Sequence, residues 1–83
     1  MKHSIKLLLP GHPKANAYIL VYECYRKELY SYETLVCSIL KNGEVVRRWD
    51  GYSKTTMGHI NCFLKTYGYA KITKKHWMSK PVY

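Results

Sequence analysis

The stretch WDGYSKTTMGHINCFL, residues 49–64, decides the fold, because a strand end, a turn, a helix N-cap and an amphipathic helix follow one another in it. Ser53 suits the N-cap, since its hydroxyl can accept a hydrogen bond from the amides that open a helix. Apolar side chains then recur at helical spacing, at Met57, Ile60, Phe63, Leu64 and Tyr67. Gly68 suits the left-handed residue that ends many helices. The pattern predicts a helix over about residues 54–67.

Upstream of this stretch, the sequence predicts a β-hairpin over about residues 34–49. Asn42-Gly43 is the strongest turn signal in the chain, since both residues tolerate the positive φ of a type I′ turn. With these two residues as the turn, Ile39 faces Val46 across the hairpin. Both faces of the hairpin are mixed in polarity, so the pattern leaves open which face is buried.

The segments before the hairpin add further extended structure. Residues 3–9 are predicted to form a first strand, which the PGHP sequence at residues 10–13 ends. Residues 17–25 are rich in β-formers and predict a strand, with a helix as the alternative. Residues 29–40 are predicted to be one extended segment. After the main helix, residues 70–77 are either a last strand or, as we favour, a short helical turn.

These elements predict one α+β domain over residues 1–83. Its small antiparallel sheet has three to four strands, and one main α-helix packs on one face. A chain of this length can bury only a single small core, so a second domain is excluded.

The composition favours an anionic partner. Fourteen Lys and Arg against five Asp and Glu give a formal net charge of +9, and 47% of the residues are hydrophobic. A field of this sign attracts nucleic acid or acidic protein surfaces, while the plainer alternative is a domain whose lysines are merely solvated. No apolar run approaches the ~20 residues of a membrane span, so no membrane contact is predicted.

The cysteines and the N-terminal residues predict a cytoplasmic protein. Cys24, Cys37 and Cys62 are odd in number and lack the spacing of a disulfide framework, which predicts reduced core thiols. The apolar run of residues 7–9 stops at Pro10, which is too short for a secretory signal.

Catalytic chemistry is not predicted. The five acidic residues are isolated from one another, whereas acid–base catalysis needs paired groups. His59 and Cys62 lie three residues apart on the predicted helix, which is compatible with a thiol site or half of a metal site. The simpler interpretation is a small buried thiol beside a solvent-facing histidine. We therefore predict a non-enzymatic protein with no metal and no cofactor.

Basic and aromatic residues interleave in the second half of the chain and form the predicted binding site. Cations contact phosphates, and aromatic rings stack on unpaired bases. The site comprises Arg47, Arg48, Trp49, Lys54, Lys65, Lys71, Lys74, Lys75 and Trp77. The nine tyrosines offer a second interpretation, since Tyr and Trp also anchor protein interfaces. Five of them, between residues 18 and 32, are most simply sheet residues with their hydroxyls at the rim.

Three segments carry a resemblance: YSYETLVCSI at residues 30–39, KNGEVVRRWDGYSKTTMGHINCFL at residues 41–64, and KITKKHWMSKPV at residues 71–82. They resemble short uncharacterised proteins of bacteriophages and mobile elements of Gram-positive bacteria, which share the patterns SYxTxV, GYSxTTxxHIxxF and KKxW. The resemblance implies a phage or mobile-element origin but no activity. Within the second pattern, Ser53, Thr56 and His59 are expected to fix the start of the helix.

A phage origin suggests two functions. The first is an accessory protein that binds nucleic acid or a nucleoprotein complex in the bacterial cytoplasm through the basic and aromatic site. The alternative is an anti-defence inhibitor of the anti-CRISPR type, which docks on a host or CRISPR effector protein by its tyrosine-rich surface.

Overall fold

The computed structural model describes residues 4–9, 16–23 and 25–83, which form five strands and two helices. In chain order they are β1 (Ser4–Leu8), β2 (Ala17–Tyr22), β3 (Lys27–Ser31), β4 (Thr34–Ile39), β5 (Val45–Arg47), α1 (Lys54–Thr66) and α2 (Lys74–Ser79). Each strand pairs antiparallel with the next, in the spatial order β1-β2-β3-β4-β5. The predicted α+β class and antiparallel sheet are confirmed, with more strands than three to four and a second, shorter helix.

The two faces of the sheet have different surroundings. Ile19, Leu29 and Cys37 lie opposite one another across β2, β3 and β4, and they share a buried cluster with Ile60 and Phe63 of α1. We call this side the helix face. Because side chains alternate along a strand, the neighbouring residues point the other way, onto a side that we call the outer face.

Both ends of α1 carry the predicted caps. The Ser53 hydroxyl accepts from the Thr56 amide at 3.5 Å. At the other end, Gly68 has φ +82°, and the Tyr69 amide donates to the Leu64 carbonyl at 2.9 Å. This is the Schellman arrangement. The helix therefore ends at Thr66, one residue before the predicted end.

The favoured helical turn after residue 70 is confirmed as α2. The Thr73 hydroxyl caps it by accepting from the His76 amide at 3.2 Å. Trp77 is fully buried, and its indole nitrogen donates to the Gly51 carbonyl at 3.4 Å. This side chain holds α2 against the segment that precedes α1.

The prediction of one extended segment over residues 29–40 is wrong, because a tight turn splits it into β3 and β4. Tyr32 and Glu33 occupy this turn with φ +52° and +69°. A two-residue hairpin turn of this kind normally uses Asn or Gly, so its sequence signal is missing here. This hidden turn is the reason that the sheet has more strands than predicted.

The predicted hairpin between β4 and β5 is present, but its register is shifted by one residue. Ile39 pairs with Val45 rather than with Val46. Gly43 has φ +89°, and its amide donates to the Leu40 carbonyl. The loop is therefore a three-residue connection with a single left-handed glycine, not a type I′ turn.

Other predicted segments are shorter in the structure. The strand predicted over residues 17–25 ends at Tyr22, and Tyr25 takes a positive φ of +68°. The PGHP sequence at residues 10–13, His3 and Cys24 lie outside the described residues.

The two edges of the sheet differ. Val82 forms a parallel bridge with Arg47 of β5, and the Tyr83 amide donates to the Arg47 carbonyl at 2.9 Å. The outer edge of β1 has no partner strand in the described part of the chain. No helix in the described ranges is long and apolar enough to cross a membrane.

Candidate nucleic-acid interface

The charges of the chain are divided unevenly between sheet and helices. All five acidic residues lie within residues 1–50. Residues 51–83, which we call the helical layer because they form both helices, contain no acidic residue. Their lysines are Lys54, Lys65, Lys71, Lys74, Lys75 and Lys80. The helical layer is therefore cationic throughout, with no internal carboxylate to neutralise a lysine.

Five predicted site residues are exposed lysines of this layer: Lys54, Lys65, Lys71, Lys74 and Lys75. Lys65 and Lys71 line the same depression beside α1, although they belong to different segments. The Asn61 side chain accepts from the Ile72 amide at 2.8 Å, which holds the segment carrying Lys71 against α1. The fold thus brings these two cations together.

An aromatic ring accompanies the lysines, but it is not one of the predicted rings. Tyr52 is 37% exposed, and the Lys74 ammonium lies 4.5 Å from the centre of its ring. Sequence reasoning missed Tyr52 because it precedes the N-cap and belongs to no periodic pattern. Its position directly before the N-cap Ser53 is the one sequence signal that places Tyr52 next to the N-terminus of α1.

Contrary to the prediction, Arg47 and Trp77 do not reach the surface. Trp77 is 0% exposed and Arg47 is 4% exposed. The Arg47 guanidinium lies over the Trp77 ring and donates to the carbonyls of Trp49, Met78 and Lys80. A buried cation needs such partners to offset its desolvation. In this structure, Arg47 and Trp77 join β5 to the end of α2.

The two residues that follow Arg47 are separated from the exposed lysines. Arg48 is half-buried, and its Nε donates to the Ser38 hydroxyl at 3.1 Å. Ser38 pairs with Glu28 and Val46, so Arg48 lies on the outer face. Trp49 is half-buried and packs against the core. The predicted site is therefore split between the helical layer, the interior and the outer face.

The outer face carries a column of stacked side chains. The rings of Tyr18 and Tyr30 stack with centres 5.2 Å apart and planes 6° from parallel. The Lys6 ammonium lies 4.3 Å from the centre of the Tyr18 ring. With Lys6 and Tyr30 against Tyr18, the ring faces are taken up within the protein. The Tyr18 ring therefore offers its edge and hydroxyl group rather than a face on which a base could stack.

A second group on the outer face surrounds Glu28, the one acidic residue within a described strand. Glu28 is buried, and its carboxylate lies 3.4 Å from the Arg26 guanidinium. A hydrogen bond between the Tyr22 hydroxyl and this carboxylate raises the pKa of Tyr22, and burial adds to the effect. Burial also raises the pKa of Tyr30. The tyrosine hydroxyls here stay protonated at neutral pH and can donate hydrogen bonds.

His59 is buried, contrary to the prediction of a solvent-facing ring. Its Nδ1 lies 3.0 Å from the Ser31 hydroxyl, which in turn lies 3.3 Å from the Thr56 hydroxyl. Thr56 and His59 thus link the first turns of α1 to β3. Within the described ranges, no three His, Cys, Asp or Glu side chains group as metal ligands.

Comparison with known proteins identifies a family but not an activity. The model of a family of unknown function, DUF8033, matches residues 14–80 of the chain. No curated protein and no solved structure matches.

Proposed function

The chain belongs to the DUF8033 family, whose function is unknown, and we propose that it is a non-enzymatic protein that binds nucleic acid, alone or within a nucleoprotein complex. The binding surface is the helical layer, with Lys54, Lys65, Lys71, Lys74 and Lys75 as phosphate contacts. The observation that carries the proposal is the absence of acidic residues from this layer, which leaves its lysines without an acidic side chain of the same layer.

The distribution of exposed lysines fits a polyanion better than a single phosphate. Lys65 and Lys71 share a depression at one end of α1, while Lys54 begins α1 and Lys74 begins α2. Each phosphate that such a lysine neutralises releases a counterion, so the affinity comes from several spaced contacts. Tyr52, beside Lys74, adds an exposed ring next to the cations.

The salt dependence of binding tests this proposal. Fluorescence anisotropy with labelled duplex and single-stranded DNA and RNA of equal length gives the slope of log K against log salt. In the K74Q/K75Q variant we expect the slope on duplex DNA to fall by about 1.8, since each lost phosphate contact removes about 0.9. The matched control, K6Q/K41Q, removes the same charge from exposed residues outside the helical layer and should change the slope less.

Two results would contradict the proposal. One is no binding to any of the four nucleic acids at low salt. The other is an equal loss in K74Q/K75Q and K6Q/K41Q, because that result indicates a response to net charge rather than a defined surface.

The resemblance carried by residues 30–82 supports a phage or mobile-element origin for this function, and we propose that the protein acts in the cytoplasm of a bacterial host. Affinity purification of tagged protein from host lysate, with and without nuclease, tests the setting. Material that disappears on nuclease treatment supports nucleic-acid binding. A defined protein that survives the treatment supports the alternative below.

The alternative function is an inhibitor that docks on a host or CRISPR effector protein. The observation that favours it is the outer face, where stacked Tyr18 and Tyr30 and the half-buried Tyr22 lie on the side opposite α1. Tyrosine edges and hydroxyls are typical of protein interfaces. Salt separates the two functions, because an aromatic interface weakens much less with salt than a phosphate-binding surface does.

A further inference from the structure

The strand β1 exposes three large aliphatic side chains on the edge of the sheet that has no partner strand among the described residues. Ile5 is 65% exposed, Leu7 is 43% exposed and Leu8 is 63% exposed. Ile5 and Leu7 lie opposite Val21 and Ile19, so they point to the helix side, while Leu8 lies opposite Tyr18 on the outer side. The helix side of this edge is therefore apolar and accessible, while the outer side presents Leu8 beside Lys6 and Ser4.

The opposite edge of the same sheet is protected, which makes the open edge of β1 distinctive. Residues 82 and 83 bridge to Arg47 of β5 and occupy part of its backbone. Folded proteins usually shorten, charge or cover their edge strands, because unpaired amides and carbonyls recruit other strands. Here β1 carries one charge, Lys6, among its aliphatic residues.

Charge identifies the kind of partner. A second copy of the chain also carries +9, and pairing two β1 strands about their centres sets Lys6 against Lys6. Like charges directly opposite each other destabilise a strand pair. We propose that the edge of β1 receives an extended acidic segment of a partner protein as an added antiparallel strand. This inference is independent of nucleic-acid binding, since the helical layer contributes no residue to it.

The register of β1 specifies the partner sequence. Opposed side chains of an antiparallel pair lie on the same face, so an acidic residue belongs opposite Lys6 and apolar residues belong opposite Ile5 and Leu7. An apolar residue opposite Leu8 and a polar one opposite Ser4 complete the segment. In its own N-to-C direction the segment is apolar, apolar, acidic, apolar, polar.

A peptide titration of the intact chain tests the proposal. The probe is the blocked peptide Val-Val-Glu-Val-Thr, and the control peptide carries Lys in place of Glu. Amide shifts of the ¹⁵N-labelled protein should concentrate at residues 4–8. The control peptide should bind at least about fivefold more weakly than the probe peptide, because its charge repels Lys6.

Protein variants localise the effect. Leu7→Thr and Ile5→Thr keep good strand formers at exposed positions, so both variants should fold, and each should weaken the probe peptide about threefold or more. The control variant Met78→Thr changes an exposed apolar residue of α2 and should bind the peptide normally. The two β1 variants should retain nucleic-acid binding by the helical layer, which separates this test from that of the proposed function.

Three results would overturn the proposal. The first is no shift at millimolar peptide, and the second is equal binding of the acidic and basic peptides. The third is a dimer in sedimentation velocity that Leu7→Thr dissolves, since β1 would then be occupied by a second copy of the chain.

Discussion

The Arg47 guanidinium lies 5.2 Å from the centre of the Trp77 ring, and both side chains are buried. Arg47 also donates to the carbonyls of Met78 and Lys80 at 3.3 and 3.1 Å, where α2 ends. A cation at a helix C-terminus satisfies free carbonyls and complements the helix dipole. Two residues that the sequence suggested as ligand contacts thus connect the sheet to α2.

Replacing Arg47 by Met should destabilise the protein by about 2–4 kcal/mol, because three carbonyl groups would lose their donor in a partly buried setting. Urea unfolding followed by circular dichroism measures this loss. The control Arg48→Met removes a half-buried arginine with one hydrogen bond, to Ser38, and should cost about 1 kcal/mol or less. Equal costs for the two variants would show that Arg47 does not hold α2.

Alanine substitutions at Gly58, inside α1, and at Gly68, just after it, should change the stability of the protein in opposite directions. Gly68 has φ +82°, so Gly68→Ala should cost about 1 kcal/mol although no atom lies near the added methyl group. Gly58 lies inside α1 with open space around it, so Gly58→Ala should stabilise by about 0.5–1 kcal/mol. Thermal unfolding compares both variants with the parent. The same sign for both would contradict the cap geometry.

The parts of the fold that the sequence predicted well depend on local interactions. The ends of α1 were predictable because Ser53 and Gly68 act within one turn of the helix. The turn at Tyr32-Glu33 was missed because its left-handed residues are not the types that favour that conformation. The β4–β5 register was wrong by one residue because Asn42-Gly43 is compatible with more than one loop length.

The candidate site was predictable where it depends on charge and unpredictable where it depends on packing. Five lysines are exposed as predicted, since burial of an unpaired ammonium group costs too much free energy. Trp77 gave no local sign that it would fill the core, because that outcome depends on how α2 meets β5. The alternation of Tyr18 and Ile19 shows which of the two is buried only when the helix face is known.

The protein should become more stable when the turn at Tyr32-Glu33 receives a residue that readily adopts a positive φ. Glu33 has φ +69° and is exposed, so Glu33→Gly should stabilise the protein by about 0.5–1 kcal/mol. Chemical unfolding gives the value. The control Glu44→Gly changes an exposed glutamate for which no positive φ is observed and should be neutral or destabilising. A loss of stability in Glu33→Gly would contradict the turn geometry.

The buried thiol of Cys37 should make the protein less stable in alkali. Burial raises the pKa of Cys37 from 9.0 to about 12. Between these values the unfolded chain loses the thiol proton while the folded chain keeps it, so stability falls as pH rises. Relative to Cys37→Ala, the parent should lose about 2 kcal/mol between about pH 8 and about pH 10.5.

Comparing the parent with Cys37→Ala at each pH removes the contribution of the tyrosines and lysines, because these residues are present in both proteins. Guanidinium unfolding curves give the difference directly. Parallel stability curves for the parent and Cys37→Ala would contradict the buried position of the thiol.

The stacked rings of Tyr18 and Tyr30 should couple energetically without contributing to nucleic-acid binding. A double-mutant cycle with Tyr18→Leu and Tyr30→Leu should give a coupling of about 0.5–1.5 kcal/mol. The control cycle pairs Tyr18→Leu with Tyr52→Leu, whose rings belong to the sheet and the helical layer, and should give about zero. Because the faces of the Tyr18 ring are taken up by Lys6 and Tyr30, Tyr30→Leu should leave the affinity for single-stranded DNA unchanged. A large loss of that affinity would instead place the nucleic acid on the outer face.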